Sequence, residues 1–416
     1  MIRVVITGIG AVTPLGNSFP DSWSAIKAGL SGIRTVTKIS ASQTKWKAAG
    51  EVADFKACEY LGHKELRRLD AFVHYAVASA VMSAEDAGLI QPHTRPPDDD
   101  YLTSGGVIIG SSRGGITTLE NAFMHMRDSV LNGHDCRLSP YLMPATTISM
   151  GASYIAQRLA INGYCLALSN ACASGSNAIG EAYRLLKAGF RGPVIAGGTD
   201  APLCRVCIEG YGKAGALSKH EPAFASRPFD RQRDGFVLSE GACTLVLENL
   251  DSASSRGANI YGEVIGYGNT VDAFHQTKPD LKGEMHALRS AMADAGISPA
   301  DVDYINAHGT STPIGDRVEA ESILSVFGKK ASQIPVSAVK SMTGHMLAAS
   351  GAFEAACTAM SLREGLVPPT INVREKDSRC GINLLTEKIN LPMTTALSSS
   401  FGFGGVNAVL IFRKLQ

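Results

Sequence analysis

At residues 169–180 the chain reads SNACASGSNAIG, and the run that follows, Glu181–Lys187, is typical of a helix. Cys172 therefore lies at a helix start. First-turn N–H groups and the helix macrodipole favour a thiolate there, so we expect the pKa of Cys172 to fall below that of a free cysteine. The small neighbouring residues leave room for a substrate. The stretch predicts a nucleophilic thiol, although a protease, a redox enzyme or a buried core cysteine would show the same local pattern.

The composition is that of a globular enzyme. The chain has 416 residues, of which 45% are hydrophobic and 19% charged, so a large buried core is expected. Lysine plus arginine (39) nearly cancels aspartate plus glutamate (38), which leaves no global field to attract nucleic acid or a membrane. No apolar stretch is long enough to span a bilayer, and Met1–Gly8 enters a strand-like run without the regions of a signal peptide. We therefore expect a cytoplasmic protein with no nucleic-acid partner and no membrane association.

The nine cysteines show neither metal-type pairing nor the density of a disulfide scaffold. The one close pair, Cys204 and Cys207, has no second pair and no nearby histidines. We expect a reduced interior, in which most cysteines act as small core residues, and no metal site.

Short apolar strands alternate with helical stretches along the chain, which predicts an α/β fold with mostly buried sheets. The predicted strands are Val4–Ile6, Gly106–Ile109, Val194–Ala196, Thr244–Leu247, Ile260–Ile265, Tyr304–Ala307 and Val409–Phe412. Leu66–Ala87 and Glu284–Ala295 are predicted amphipathic helices, the second ending at a C-cap glycine, Gly296. No low-complexity linker divides the chain, and the best dividing point is the polar stretch Asp251–Ala258. We therefore predict two packed halves, residues 1–255 and 256–416.

Three further motifs contain histidines, a lysine or closely spaced glycines, which are residue types common in active sites. NAHGTSTPIGD at residues 306–316 places His308 at the end of a strand, where a sheet edge presents side chains. VKSMTGH at residues 339–345 sets Lys340 and His345 five residues apart, and SSSFGFGGVN at residues 398–407 precedes the last strand. Each alone has a structural alternative: a lone histidine is more often a hydrogen-bonded structural residue, and the stretch 398–407 is either a flexible turn or a loop whose glycines let backbone N–H groups approach a ligand.

In this order the four motifs resemble those of the condensing enzymes of the thiolase superfamily, closest to the β-ketoacyl-[acyl-carrier-protein] synthases of the second type. The resemblance runs from VVITGIG at residues 4–10 to the last strand and covers essentially the whole chain. It implies a duplicated five-layer α-β-α-β-α sandwich. The first half would carry the cysteine, and the second half would carry the histidines facing it.

The resemblance also implies a role for each matching residue. Cys172 would accept an acyl group from an acyl-carrier-protein thioester, and the backbone N–H groups of Cys172 and Phe403 would form the oxyanion hole. His308 and His345 would hold the malonyl thioester and stabilise the enolate left when its carboxylate departs as CO2. Two histidines distinguish this pattern from the initiating synthases, which use a histidine and an asparagine. Phe403 matches the gate residue of the elongating enzymes.

Other matches support the site. Lys340 would pair with Glu354 and tune the electrostatics of the site, although a purely structural ion pair is equally compatible with the pattern. Glu319 matches a supporting acid of the family. Thr310 and Thr312 match the threonines that hydrogen-bond the phosphopantetheine arm, and no separate cofactor is implied.

A basic cluster, formed by Lys64, Arg67 and Arg68, lies on one face of a predicted helix. Such a run is usually a solvated face, but the resemblance matches it to the docking site for acyl carrier protein. The family also implies a homodimer; specialised relatives in polyketide and polyene systems pair instead with a synthase-like partner that lacks the cysteine.

Several positions depart from the elongating pattern. Arg113 stands where an apolar residue usually lines the acyl pocket, and a buried arginine needs partners or water. We therefore expect a pocket that is shorter or more polar than one for a long saturated chain. Asn170 and Val406 are further changes near the site, and the stretch 272–283 resembles the family's second mobile loop in shortened form.

These features predict an acyltransferase of the EC 2.3.1 class that condenses a Cys172-bound acyl group with malonyl-acyl-carrier-protein, in fatty acid or related polyketide or polyene elongation. The alternative is a specialised polyketide or aryl-polyene ketosynthase that works as a heterodimer with a chain-length partner. A non-catalytic synthase-like partner fits less well, because it would lack Cys172. Acyl length, pathway and the identity of the carrier protein stay open.

Overall fold

The computed structural model describes residues 2–92 and 100–415. Its strands are β1 Val4–Val12, β2 Arg34–Thr35, β3 Ala48–Gly50, β4 Gly106–Gly110, β5 Tyr164–Leu168, β6 Val194–Asp200, β7 Leu238–Ser239, β8 Gly241–Asn249, β9 Gly262–Val271, β10 Tyr304–Asn306, β11 Val336–Ser337, β12 Leu366–Val367, β13 Ile389–Asn390, β14 Thr395–Gly402 and β15 Val406–Arg413. Its helices are α1 Phe19–Ala28, α2 His63–Arg68, α3 Ala71–Asp86, α4 Asp100–Thr103, α5 Ile116–Leu131, α6 Leu142–Thr146, α7 Met150–Arg158, α8 Ser174–Lys187, α9 Arg205–Lys213, α10 Pro222–Ala225, α11 Leu250–Ser255, α12 Leu281–Ala295, α13 Gly315–Phe327, α14 Lys340–Thr343 and α15 Ala348–Glu364.

The largest sheet repeats one pairing pattern twice. In the order β5-β4-β6-β8-β1, the first two pairings are parallel and the last two antiparallel. The order β11-β10-β14-β15-β9 follows the same scheme, and β1 pairs with β9 to join the two groups into ten strands. The predicted duplication is confirmed by this topology.

Helices fill the space between and outside the two strand groups. Helix α3 packs on β1, β6 and β8, and α12 packs on β9 and β15. Between them lie α8 and α15, which contact each other; α15 touches β6 and β8 on one side and β14 and β15 on the other. The layers therefore alternate α-β-α-β-α, as expected for a thiolase-like sandwich.

The central helix α15 is buried on nearly all sides, with 14 of its 17 residues in the interior. A helix in that position needs small side chains where it meets other backbones. A methyl group added at Gly175 of α8 or Gly198 of β6 would lie only 2.2 Å from the carbonyl oxygen of Ala348. These glycines therefore let the first turn of α15 approach both elements closely, and that turn begins three residues after His345.

Each predicted strand overlaps an observed one, and the helix predicted over Glu284–Ala295 lies within α12, with Gly296 in the left-handed conformation at φ 65°. The single helix predicted over Leu66–Ala87 is wrong. Helix α2 ends at Arg68, and Asp70 begins α3 as its N-cap by accepting a hydrogen bond from the N–H of Phe72. The boundary between residues 255 and 256 falls between α11 and β9 and stays a prediction.

Within the described ranges, no helix has both the length and the apolar character needed to cross a bilayer. All nine cysteines are free thiols, and each lies in the described part of the chain.

Candidate active site

A pocket of about 380 Å³ brings together residues from both halves of the chain. Its walls include the predicted site residues Cys172, His308, Thr310, Thr312, Glu319, His345 and Phe403. The same walls include Tyr211, Phe236, Glu284, Ile314 and Phe401, which add a largely apolar surface. The motifs that are far apart in the sequence therefore converge on one cavity.

Cys172 lies in a single 3₁₀ turn, Ala171–Ala173, between the end of β5 and the start of α8. Ala171 has a φ of 48°, a left-handed conformation that costs a non-glycine residue roughly 1–3 kcal/mol. Two hydroxyls, Ser112 Oγ at 2.8 Å and Ser174 Oγ at 2.6 Å, donate to the Ala171 carbonyl and hold it in place. The strained turn presents Cys172 to the pocket, whose wall it shares with Phe403.

The expected lowering of the Cys172 pKa is wrong. Burial raises the pKa of this thiol to about 11, and it outweighs the charges of Lys340 and Arg113 and the hydrogen bond from Phe403. Helix α8 begins at Ser174 with Ala173 as its N-cap. Cys172 thus precedes the first turn, instead of occupying the position where a side chain caps the helix N–H groups.

His308 follows β10 in a turn that Glu319 organises. The Glu319 carboxylate accepts hydrogen bonds from the N–H of His308 at 2.7 Å, the N–H of Gly309 at 2.8 Å and the hydroxyl of Ser399 at 2.8 Å. Gly309 has a φ of 40°, so the chain turns there without a side-chain clash. The buried carboxylate therefore positions the histidine through its backbone.

Lys340 sets the tautomer of His308. Its Nζ lies 3.1 Å from Nδ1 of His308 and donates to the His308 carbonyl at 2.7 Å. An ammonium group can only donate, so Nδ1 accepts and the ring proton lies on Nε2. Burial, followed by the charge of Lys340 and the proximity of His345, holds the pKa of His308 well below its usual value. The imidazole is therefore neutral at physiological pH.

His345 is also a neutral imidazole with its proton on Nε2, and here the partner of Nδ1 is Ser350. The Ser350 hydroxyl accepts from the N–H of Met346 at 2.9 Å, which leaves its hydrogen for Nδ1 of His345 at 3.1 Å. Burial and the charge of Lys340 lower the pKa of His345 well below its usual value. Its Nε2 is buried and has no hydrogen-bond partner among the described residues. The rings of His308 and His345 lie 5.4 Å apart at 85°.

Lys340 and Glu354 form a buried ion pair across the start of α14 and the middle of α15. Each is 1% exposed, and Nζ of Lys340 lies 2.5 Å from Oε1 of Glu354. Burial raises the pKa of Glu354 to about 7, while the lysine charge acts in the opposite direction. The predicted pair is thus present, and its lysine also contacts one of the two histidines.

Residues 402–405 form a glycine-rich loop that packs against the backbone of the Cys172 turn. A methyl group added at Gly402 would lie 3.3 Å from the backbone N of Cys172 and 3.0 Å from the carbonyl oxygen of Asn170. The ring of Phe403 lies 6.3 Å from that of Tyr211.

The segment 272–283 is tied to this loop. The N–H of Gly404 donates to the carbonyl of Gln276 at 2.7 Å, and the N–H of Asp272 donates to the carbonyl of Gly405 at 2.8 Å. Asn407 Nδ2 adds a hydrogen bond to the Asp272 carboxylate at 2.6 Å. The two loops therefore form one hydrogen-bonded unit at the pocket.

Thr310 and Thr312 hydrogen-bond to each other through their hydroxyls at 3.0 Å, and both line the pocket. Ser311 between them has a φ of 72°, and Asp316 accepts its N–H at 3.0 Å. Burial raises the pKa of Asp316 to about 7, against the opposing charge of Arg233, whose Nε lies 3.3 Å away. This buried pair fixes the turn that presents the two threonines.

Arg113 does not form part of the pocket wall around Cys172; it contacts that wall through Tyr211. Its Nε and one terminal nitrogen donate to the Tyr211 hydroxyl at 2.9 and 2.6 Å. Asp200 accepts the N–H of Arg113 at 3.0 Å and the N–H of Ala348 at 2.9 Å, and so links this loop to α15. The partner that the sequence required for Arg113 is therefore a tyrosine hydroxyl.

The remaining predicted residues are not part of the pocket lining. Lys64, Arg67 and Arg68 are exposed on α2, and the guanidinium of Arg68 lies 4.1 Å from the ring centre of Tyr141. Docking by this cluster stays a prediction. Val406 begins β15, and Asn170 donates from Nδ2 to Asn177 at 3.1 Å.

Sequence reasoning missed Glu284, Ser350, Asp200 and Tyr211. Glu284 is 1% exposed, lines the pocket and leaves Oε2 without a hydrogen-bond partner within the described residues. Burial, with the nearby Glu319 charge, holds its pKa well above the ordinary value. Its only sequence signal was a carboxylate at the start of a predicted amphipathic helix. Within residues 2–92 and 100–415, no group of three or more His, Cys, Asp or Glu side chains is arranged to hold a metal ion.

Known proteins resemble this chain over its whole length, and they belong to the family that the sequence motifs indicated. Residues 1–253 match the family model described as "Beta-ketoacyl synthase, N-terminal domain", and residues 261–374 match "Beta-ketoacyl synthase, C-terminal domain". A 3-oxoacyl-[acyl-carrier-protein] synthase 2 from Synechocystis sp. is 42% identical over 100% of this chain and 98% of that protein. Two solved structures, each 31% identical and covered fully in both chains, superpose closely. One is the ishigamide ketosynthase/chain length factor, with a TM-score of 0.92. The other is a type II PKS acyl-carrier protein in complex with its ketosynthase bound to the hexaketide, with a TM-score of 0.89.

Proposed function

The chain belongs to the beta-ketoacyl synthase family, and on this premise we propose that it condenses an acyl group held on Cys172 with malonyl-acyl-carrier-protein. The products are β-ketoacyl-acyl-carrier-protein and CO2, in fatty acid or related polyketide or polyene elongation. The enzyme is an acyltransferase of the EC 2.3.1 class. One observation carries the proposal: a thiol and two neutral imidazoles, His308 and His345, line one pocket.

The first step is acyl transfer to sulfur. The Cys172 sulfur attacks the carbonyl of the carrier-bound thioester, and the carrier thiol leaves with the proton that Cys172 loses. The N–H groups of Cys172 and Phe403 stabilise the oxyanion; one such donor is worth about 2.7–4 kcal/mol in the transition state. The Phe403 N–H acts to lower the pKa of the Cys172 thiol, which supports placing this donor near the reacting sulfur.

The second step is decarboxylation. The malonyl thioester carbonyl accepts hydrogen bonds from Nε2 of His308 and of His345, both of which carry a proton in the tautomers deduced above. Cleavage of the bond to the carboxylate releases CO2 and leaves its electron pair as the enolate. Because both rings are neutral, they stabilise the developing oxyanion without transferring a proton to it.

The third step forms the new carbon–carbon bond. The enolate carbon attacks the thioester carbonyl on Cys172, and the Cys172 thiolate leaves and takes one proton from solvent. Lys340 orients His308, and Glu319 holds its backbone. Thr310 and Thr312 hydrogen-bond the phosphopantetheine arm of the carrier protein. This arm carries the substrates as thioesters, and the proposal includes no separate cofactor.

An acidic carrier protein is the proposed partner, and Lys64, Arg67 and Arg68 form its docking cluster. All three are exposed, and an interface of this kind mainly accelerates encounter. One structural neighbour is a ketosynthase in complex with an acyl-carrier protein and another is a ketosynthase/chain length factor, which favours the same classes of partner here. Free thiols at all nine cysteines support a reducing, cytoplasmic location.

A second synthase-like chain is also proposed as a partner. Strand β5 forms one end of the ten-stranded sheet, and Tyr164 and Cys165 within it are exposed. Large apolar side chains are also exposed in the segment from residue 123 to residue 143, namely Phe123, Met124, Val130, Leu131, Leu138 and Met143. An unpaired strand edge and exposed large apolar side chains each favour an interface. Native mass spectrometry of the enzyme, co-expressed with a synthase-like chain that lacks the cysteine, measures the mass of the assembled complex. That mass distinguishes a homodimer from a heterodimer.

The test of catalysis uses covalent labelling. We expect cerulenin and an acyl thioester each to add one equivalent to the intact protein, and the adduct to map to Cys172. Cys172→Ser is the matched control and gains no adduct at that position. Absence of a Cys172 adduct in the folded wild-type protein would count decisively against the function.

A further inference from the structure

One buried carboxylate joins two parts of the site that lie far apart in the sequence. Asp200 ends β6 and is fully buried. Its Oδ1 accepts hydrogen bonds from the N–H of Arg113 and the hydroxyl of Ser111, both at 3.0 Å. Both of its oxygens lie 3.1 Å from the backbone nitrogen of Ser112, and Oδ2 accepts the N–H of Ala348 at 2.9 Å. Donors from two separate segments therefore satisfy this one side chain.

The first of these segments, residues 111–113, reaches the nucleophile. The hydroxyl of Ser112 donates at 2.8 Å to the carbonyl of Ala171, the residue that precedes Cys172. Ala171 has the left-handed φ of 48°, a conformation that persists in a non-glycine residue only where surrounding contacts hold it. A loop displaced from Asp200 would therefore carry the Ser112 hydroxyl away from the Cys172 turn.

The second segment is the start of α15, which supports His345. Ala348 is the first residue of this helix, and its N-cap, Leu347, is also held at a positive φ, 50°. Ser350, two residues after Ala348, places its hydroxyl 3.1 Å from Nδ1 of His345. The hydrogen bond from Ala348 to Asp200 therefore anchors the turn that supplies the partner of this histidine.

We propose that Asp200 is a positioning residue that fixes the Cys172 turn and the His345 turn relative to each other. It lies outside the pocket lining, and its effect on condensation rests on the proposed function. A carboxylate suits this position because both of its oxygens accept hydrogen bonds, one toward the loop and one toward the helix. An amide of the same size has one oxygen and one NH2 group, so it can satisfy only one of the two segments and faces the N–H donors of the other with a donor.

Asp200→Asn therefore separates the two segments with little change in volume. We expect acylation of Cys172 by a synthetic acyl thioester, and condensation of the isolated acyl-enzyme, each to slow at least about tenfold at saturating substrate, because small displacements of reacting groups are costly. Since Asp200 lies outside the pocket lining, the half-saturating concentrations should stay close to those of the wild type. Unchanged rates in Asp200→Asn would overturn the proposal.

Asp230→Asn is the matched control. Asp230 is also fully buried and accepts three backbone N–H groups, but it is not part of the pocket lining. This variant should lose stability in denaturant titrations and keep both rates near the wild-type values. Equal losses of rate in Asp230→Asn and Asp200→Asn would show a general effect of a damaged interior and would overturn the proposal.

Double variants show whether Asp200 acts through the contacts named above. Adding Ser112→Ala to Asp200→Asn should slow acylation by a smaller factor than Ser112→Ala does alone, because the loop is already released. Adding Ser350→Ala should likewise slow condensation by a smaller factor than Ser350→Ala does alone. Fully multiplicative effects in either pair would contradict the positioning role.

Backbone hydrogen exchange decides the proposal without using activity. Peptides covering residues 169–174 and 345–350 should both exchange faster in Asp200→Asn than in the wild type, and neither should change in Asp230→Asn. If Asp200→Asn does not fold, Ser111→Ala removes one donor to the carboxylate and should speed exchange in the same two peptides to a smaller extent. Unchanged exchange in either peptide would refute the positioning role. A wild-type protein that forms no acyl-enzyme would instead refute the proposed function, while the exchange measurement still decides the role of Asp200.

Discussion

Lys340 contacts His308 and Glu354 at the same time: its Nζ lies 3.1 Å from Nδ1 of the imidazole and 2.5 Å from the Glu354 carboxylate. One buried lysine thereby fixes a tautomer and neutralises a carboxylate. Replacing it by methionine keeps the length of the side chain and removes both effects.

We expect Lys340→Met to raise the pKa of His308 part of the way toward its usual value, because one positive charge that disfavours the imidazolium is gone while burial, the larger cause of the lowered pKa, remains. Imidazole NMR of histidine-labelled protein should show the His308 titration at a higher pH in the variant than in the wild type. The sign follows from the lowered wild-type pKa, which keeps the proton off the ring until the pH falls well below 6.5. A His308 that titrates identically in both proteins would contradict this role for Lys340.

The same variant leaves Glu354 buried without its partner, which typically costs about 3–5 kcal/mol of unfolding free energy. Lys340→Met combined with Glu354→Gln should recover most of that stability in denaturant titrations, while the His308 titration stays altered. The double variant thus separates the structural contribution of the ion pair from its action on the histidine.

The resting Cys172 thiol is expected to be largely protonated at neutral pH, because burial raises its pKa to about 11. Since the thiolate is the reactive form, iodoacetamide should label Cys172 about tenfold faster for each pH unit from pH 7 to pH 10. Cys58 and Cys165 are exposed, so the rate must be read from the Cys172 peptide by mass spectrometry. A labelling rate that is flat above pH 7 would show a thiolate already formed in the free enzyme.

Gly402→Ala tests the close approach of the loop to the nucleophile. The added methyl group would crowd the Cys172 N–H, so we expect acylation to slow about 10²-fold, as for loss of one oxyanion donor, with little change in folding. Gly210→Ala is the matched control, since nothing lies within 4 Å of its added methyl group. Stopped-flow acylation rates near the wild-type value in Gly402→Ala would remove this loop from the oxyanion hole.

Arg113→Ile tests substrate selection. The guanidinium holds the Tyr211 hydroxyl beside the pocket, so the wild type should prefer short or polar acyl groups, and the variant should shift toward longer saturated chains. A profile measured with synthetic acyl thioesters of increasing length checks this. Efficient wild-type use of tetradecanoyl and hexadecanoyl thioesters would contradict it.

The fold was predictable because its signals are local. Short apolar runs bounded by glycines mark the strands, and Gly296 marks the end of α12. The error over Leu66–Ala87 has a local cause as well: residues on both sides of the break are amphipathic, and only the capping aspartate, Asp70, separates two helices. The amphipathic pattern alone continues through such a break, so it predicts one helix where the structure has two.

The sequence motifs predicted which residues converge on the pocket, namely Cys172, His308, His345 and Phe403, but not their protonation states. The pKa of Cys172 depends on how deeply its sulfur is buried, and that burial comes from parts of the chain far away in sequence. The tautomer of His345 depends on Ser350, and Arg113 finds its partner 98 residues along the chain in Tyr211. Contacts of this kind leave no periodic or spacing signal.

The most direct test follows one acyl group through a single turnover. Wild-type acyl-enzyme is isolated, malonyl-acyl-carrier-protein is added, and intact masses of both proteins are recorded over time. The account predicts that the acyl mass leaves Cys172 and appears in the β-ketoacyl carrier with release of CO2, whereas His308→Ala and His345→Ala retain it on the enzyme. An acyl group that stays on the wild-type enzyme, or that transfers equally fast in both histidine variants, would contradict the account.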